Sequence, residues 1–240
     1  MYSKQDFKNL LFIDIETTSG FQHYNELTDA RPKSIEHWAK KALQIKNGGE
    51  HLEKDDSEMY SHMAALSPEF GKIRVISIGQ IKFDENSDLV KSNVRSFYGD
   101  DEYTILKEFL GTMQAVFNKN TNVQLIGHNI KNFDMPFIIK RAIINQLQIP
   151  HQFHFQKKKP WENCIMDTYD IWKFGGWGSA SLDLICESLN IPSPKDIMHA
   201  VDTTDQYWSG NLEKIKEYCE GDVIATMNVM LRISNLNIIK

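Results

Sequence analysis

The sequence predicts an α/β fold, a mixed β-sheet flanked by α-helices, in a single domain over residues 1–240. Apolar strand-like runs recur at 9–16, 71–83, 89–98 and 122–129. The runs at 71–83 and 89–98 are joined by the turn chemistry "DENSD" (84–88), so the early strands should pair antiparallel. Helical patterns separate the later strands, which should therefore lie parallel.

The first strand opens the chain's main puzzle. In "NLLFIDIETTSG" (9–20), five of the six residues from Leu10 to Ile15 are apolar, as in a strand buried on both faces. Yet Asp14 lies inside it, and Glu16 follows on the same face. A buried carboxylate is costly unless paired, protonated or bound to a metal.

A polar helical insertion spans about 19–67. It begins with a helix over "SIEHWAKKALQI", for which Ser34 is the expected N-cap. His37 stands where a capping box needs an acid or amide, so no box is expected there. "NGGEHLEKDD" (47–56) reads as an exposed loop, and Met59 to Leu66 as a second short helix. After the hairpin, "DDEYTILKEFLGTMQAVF" (100–117) has helical spacing at Ile105, Leu106, Phe109, Leu110 and Met113. "MPFIIKRAIINQL" (135–147) is a helix that tolerates Pro136 in its first turn. "SLDLICESLNI" (181–191) is a shorter helix, and a long one runs from about Leu212 to Ser234.

Composition narrows the function. A formal net charge of −5 excludes a protein-wide positive field, so a nucleic-acid partner would need local basic patches and metal ions. Cys164, Cys186 and Cys219 are widely spaced, with no CxxC pair. They predict reduced thiols and a cytoplasmic location. No apolar run approaches a membrane span, so no membrane partner is expected.

Two further segments carry carboxylates. "HNIKNFDMPF" (128–137) puts Asp134 at a helix start, where alone it reads as an N-cap. Asn129 and Phe133 lie beside it at a strand-to-helix junction, where open α/β sheets bind ligands. In "KIKEYCEGDVIATMNVMLRI" (214–233), Ile215, Cys219, Thr226, Val229, Met230 and Ile233 form an apolar helical stripe. Tyr218 and Asp222 fall on that stripe, one turn apart, and alone read as a hydrogen-bonded pair at the edge of a core. If the last helix packs beside the first strand, Asp14, Glu16, Asp134 and Asp222 converge. Hard divalent ions prefer such oxygen ligands. Two ions about 4 Å apart can drive phosphodiester cleavage, and their charge would cancel the carboxylates' repulsion.

Together, "FIDIET", "HNIKNFD" and "YCEGD" closely resemble the three motifs of the DEDD 3′–5′ exonucleases of the ribonuclease H-like superfamily. Tyr218 matches the DEDDy subgroup. Through "SPEFGKIRVISIG", "RAI", "SLDLICESLNIP" and "YCEGDVIATMNVMLR", the chain resembles predicted exonucleases related to the proofreading domain of family B DNA polymerases. After "IPSPK" that family often continues through a glycine-containing segment to a valine, whereas this chain has "DIMHAVDTT".

The resemblance implies a ribonuclease H-like fold and a two-metal site holding Mg²⁺ or Mn²⁺. Asp14 would bridge both ions, Glu16 and Asp222 would hold the nucleophile-side ion, and Asp134 would hold the other through water. Tyr218 would orient the attacking water. A phenol with a reference pKa near 10 suits that role better than the role of base. Thr17, Asn129 and Phe133 would contact the 3′-terminal nucleotide, Phe133 by stacking. The implied substrate is a single-stranded DNA 3′ end, with release of nucleoside 5′-monophosphates. RNA is the alternative, because metal ligands do not identify the sugar. A non-catalytic binding module on the same fold is the other.

Weaker signals stay open between two readings. "QKKKPW" (156–161), beside Phe153, His154 and Phe155, reads as a nucleic-acid track or a solvated charge run. "GGWGS" (175–179) reads as a turn, and Asp167 and Asp170, near a strand end, read as surface or capping residues or as aids to the site.

Overall fold

The computed structural model describes residues 2–27, 33–48, 54–84, 90–155, 159, 163–178, 180–193 and 198–239. β1 (Leu10–Ser19) runs past its expected end. Partners distant in sequence hold the extension: Thr18 Oγ1 accepts from Arg74 Nε at 3.1 Å, and the Ser19 N–H donates to Thr204 Oγ1 at 3.2 Å.

The insertion forms α1 (Ser34–Asn47) and α2 (Asp56–Met63), followed by a 3₁₀ turn over Ala64–Leu66. Ser34 is not the N-cap of α1. Lys33 takes that position without a side-chain bond, while Ser34 is buried within the helix. α2 carries the capping box that α1 lacks. Asp55 accepts from the Ser57 and Glu58 N–H groups, and Glu58 accepts from the Asp55 N–H. The end of the expected exposed loop is therefore a helix start; residues 49–53 lie outside the described residues. The insertion also has its own apolar centre, with Trp38, Met59 and Tyr60 fully buried. The Trp38 ring meets Tyr60 and Phe70 edge-on at 5.2 and 5.0 Å. A polar sequence thus hides a small core contributed from several short segments.

β2 (Gly71–Phe83) and β3 (Val90–Tyr98) form the antiparallel pair; residues 85–88 of the expected turn and residue 89 of the expected strand lie outside the described residues. Asp101 caps α3 (Glu102–Lys119), which starts two residues later than the spacing predicts. Then follow β4 (Gln124–Gly127), α4 (Asp134–Ile144), β5 (Ile165–Asp167), α5 (Thr168–Lys173), α6 (Leu182–Ser188), α7 (Thr203–Trp208) and α8 (Leu212–Ile233).

The five strands lie in the order β3-β2-β1-β4-β5. β1 and β2 are antiparallel, whereas the β1–β4 and β4–β5 pairs are parallel, as expected from their connections. Alternation along β1 separates two cores. Leu11, Ile13 and Ile15 pack with α3 and α4 residues such as Phe109 and Ile138. Leu10 and Phe12 pack with Val223, Met227 and Met230 of α8. Gly79 permits this second contact, because a Cβ there would lie 2.4 Å from Met227 Cε. Asp14 and Glu16 continue the row facing α8.

A buried ion pair ties the other face together. Arg141 of α4 makes a two-point contact with Glu102 of α3 and donates to the Pro68 carbonyl at 2.8 Å. Glu102 also accepts the Ile73 N–H at 2.7 Å, so helices, sheet and the end of the insertion share one junction. Among the described residues, no helix is long and apolar enough to cross a membrane.

Candidate active site

The apolar row on β1 turns acidic where α8 passes over it. One oxygen from each of Asp14, Glu16 and Asp222 lies within 4.8 Å of the others. Asp134 lines the same cleft from the start of α4. It is not the N-cap, a position taken by Phe133. Its carboxylate instead lies near its own N–H and the Ile15 N–H, both of which favour its charged form. β4 pairs with β1 only through Phe12, so Ile15 lies beyond the end of that ladder. The strand-to-helix junction and the acidic end of β1 are joined there.

Burial is the largest cause raising the Asp14 carboxyl, followed by Asp222, Asp134 and Glu16. Burial and then Asp222 push Glu16 up as well. Burial lifts Asp134 to about 7 although the nearby Asp134 and Ile15 N–H groups favour its charged form. The Tyr218 phenol is raised by burial first, and then by the neighbouring Asp222, Glu16 and Asp14. The site holds negative charge at close quarters and favours whatever neutralises it.

Two further side chains hold the carboxylates in place. Thr203 Oγ1 donates to Glu16 Oε2 at 3.1 Å. The Cys219 thiol donates to Asp14 Oδ2 at 3.3 Å. Cys219 was visible in sequence only as an apolar stripe position. Thr203 gave no signal at all, because it lies in the segment that departs from the family pattern.

Asn129 sits in the turn after β4 at φ +60°, a left-handed conformation that Asn tolerates. Asp167 fixes this turn: its two oxygens accept the Asn129 N–H at 2.8 Å and the Lys131 N–H at 3.1 Å. Asp167 also caps α5 through the Tyr169 N–H. The capping expectation is therefore met, but Asp167 is buried rather than a surface residue. Asp170 is exposed and pairs with Lys131 at 2.9 Å.

Asn129, Phe133 and Thr17 all line the cleft, whose volume is about 510 Å³. The Thr17 hydroxyl donates to the Ala65 carbonyl at 2.8 Å, fastening β1 to the insertion. Leu66 and Val201 line the same cleft and are 56% and 82% exposed, leaving apolar surface open beside the carboxylates. Cys164, Cys186 and Cys219 are all free thiols. The run at 156–161 lies outside the described residues except for Lys159. Gly175 and Gly178 have φ of +78° and +104°, in accord with the expected turn, of which Ser179 lies outside the described residues.

Residues 69–238 match a family described as predicted 3′–5′ exonucleases related to the exonuclease domain of PolB. The matched span includes Asp134, Tyr218 and Asp222, while β1 and the insertion precede it. Among solved structures, the family B DNA polymerase of the hyperthermophilic archaeon Pyrobaculum calidifontis is similar over 93% of this chain and 24% of its own length, at 13% identity and a TM-score of 0.53. E. coli Exonuclease I in complex with a dT13 oligonucleotide matches over 93% of this chain and 40% of its own length, at 12% identity and a TM-score of 0.45. The chain therefore spans well under two thirds of either protein. No curated protein sequence matches it. With its five-stranded mixed sheet flanked by helices, the chain belongs to the family of predicted 3′–5′ exonucleases related to the exonuclease domain of PolB.

Proposed function

We propose that the chain hydrolyses single-stranded DNA from its 3′ end with two divalent ions, Mg²⁺ or Mn²⁺, and releases nucleoside 5′-monophosphates. The observation that carries this is the meeting of Asp14, Glu16 and Asp222 within 4.8 Å at the base of an open cleft. The donor set fits hard divalent cations: it is all oxygen, and its raised carboxyl groups are crowded by like charge. Divalent ions bound there supply an activated water and neutralise charge on the leaving oxygen.

The chain's own residues do the positioning. Asp14 lies within reach of the charge of Asp222, Asp134 and Glu16. Tyr218 stays neutral at physiological pH because burial and the carboxylates oppose its ionisation. With its hydroxyl proton directed to the neighbouring Asp222, its oxygen lone pairs would orient water. Phe133 offers a face to a base, and Leu66 and Val201 offer apolar walls, none of which reads sequence. Asn129 and Thr17 line the approach to the terminal sugar.

Single- and double-stranded DNA and RNA oligonucleotides labelled at the 5′ end test this, each with Mg²⁺, Mn²⁺ or chelator. The expected result is a metal-dependent ladder shortening from the 3′ end of single-stranded DNA. Nicking of circular single-stranded DNA would overturn the exonuclease assignment. Cleavage of RNA alone would overturn the sugar assignment, and binding without cleavage would make the fold a non-catalytic module.

A further inference from the structure

The insertion builds a second groove beside the cleft, of about 490 Å³. Leu66 and Phe133 line both, so the groove continues the path out of the cleft. Its far wall is one face of α1. His37, Lys40, Lys41 and Gln44 stand at helical positions i, i+3, i+4 and i+7, all exposed. The opposite side of α1 is anchored by Trp38 and Ala42, both buried in the insertion's core. That anchoring fixes which way the lysines point. α4 contributes Lys140 across the groove. Among the described residues, the one carboxylate lining it is Glu69, which lies 3.6 Å from Lys140. Among the described lining residues, three lysines stand against one glutamate, a locally basic set on a chain whose net charge is −5.

We infer that this groove is the track for the strand upstream of its 3′ end, with Lys40 and Lys41 gripping backbone phosphates. The inference rests on the proposed exonuclease activity and extends it. A strand whose end reaches the carboxylates must leave the cleft. Here it meets cations continuous with that cleft, on an element that precedes the residues matching the family. Phosphate contacts of this kind carry affinity without sequence preference. The insertion thereby sets the length of substrate that the site prefers.

The test compares wild type, Lys40→Ala/Lys41→Ala and a control pair, Lys82→Ala/Lys91→Ala, which removes equal charge from the facing Lys82–Lys91 position of the β2–β3 hairpin. Exposed lysine-to-alanine changes suit a helix, so α1 should persist. The substrates are oligothymidylates of two to twelve nucleotides. For Lys40→Ala/Lys41→Ala, the loss in kcat/KM should grow with length to about tenfold, and the salt slope for the twelve-mer should weaken by about 1.4. A loss equal at all lengths, no loss, or the same loss in the control pair would overturn the track. If wild type degrades none of these substrates, the proposed exonuclease activity fails on its own. Anisotropy of the labelled twelve-mer in chelator then still decides the groove: weaker binding confined to Lys40→Ala/Lys41→Ala supports it, and equal binding overturns it.

Discussion

Thr203 Oγ1 donates to Glu16 Oε2 across 3.1 Å, joining the first residue of α7 to the acidic end of β1. Groups that orient metal ligands commonly change metal affinity by 10–100-fold when removed. Thr203→Val keeps the branched shape and deletes the hydroxyl. Its affinity for Mn²⁺, measured by calorimetry, should fall about tenfold. An unchanged affinity would mean that Glu16 is oriented without Thr203.

Tyr218 and Asp222 should separate in their kinetic effects. Tyr218→Phe removes the hydroxyl that would orient water and keeps the buried ring. Single-turnover cleavage at saturating Mn²⁺ should slow by up to about a hundredfold, with metal binding retained. Asp222→Ala should be worse, because it removes one of the carboxylates proposed to hold metal. Equal losses would contradict the role given to Tyr218.

The Arg141–Glu102 pair should matter for stability rather than chemistry. Arg141→Ala leaves Glu102 buried beside the Ile73 N–H without its cation. Breaking such a pair costs about 3–5 kcal/mol, or roughly 10 °C in melting temperature for a chain of this size. A shift below about 2 °C would show that the site relaxes to admit water.

Metal-free stability should fall as pH rises through the range of the carboxyls lining the cleft. Asp134 is lifted from 3.8 to about 7 in the folded state. A raised acid favours the fold while protonated, so its contribution is whole below about pH 4 and is lost as pH climbs through 7. Thermal melts in chelator from pH 4 to 8 should therefore show wild type losing ground to Asp134→Asn. A difference between the two that does not vary with pH would contradict the raised carboxyl.

Much of this was legible in local pattern. The β1 row and the α8 stripe follow periods of 2 and 3.6, so the convergence of Asp14, Glu16 and Asp222 could be expected. Asp134 was found by its neighbours, although as an N-cap it would have had a different partner. The parts missed depend on partners far away in sequence. Thr203 bonds Glu16 187 positions distant, and Asp167 holds a turn 38 positions before it. Neither leaves a periodic mark. The capping box at Asp55 and Glu58 was local and readable, but its polar surroundings resembled a loop.

The most direct measurement is a pair of melting curves for wild type and Asp14→Asn, in chelator and through a Mn²⁺ titration at fixed ionic strength. The substitution keeps the side chain's shape and removes one charge from the cluster. A ligand that binds only the folded state at 100 times its dissociation constant adds about 2.7 kcal/mol. Wild type should gain on that order, whereas Asp14→Asn should melt no lower without metal and gain less with it. Equal Mn²⁺-dependent shifts, or a metal-free variant melting far below wild type, would contradict the account of Asp14 as a repelled carboxylate held for metal.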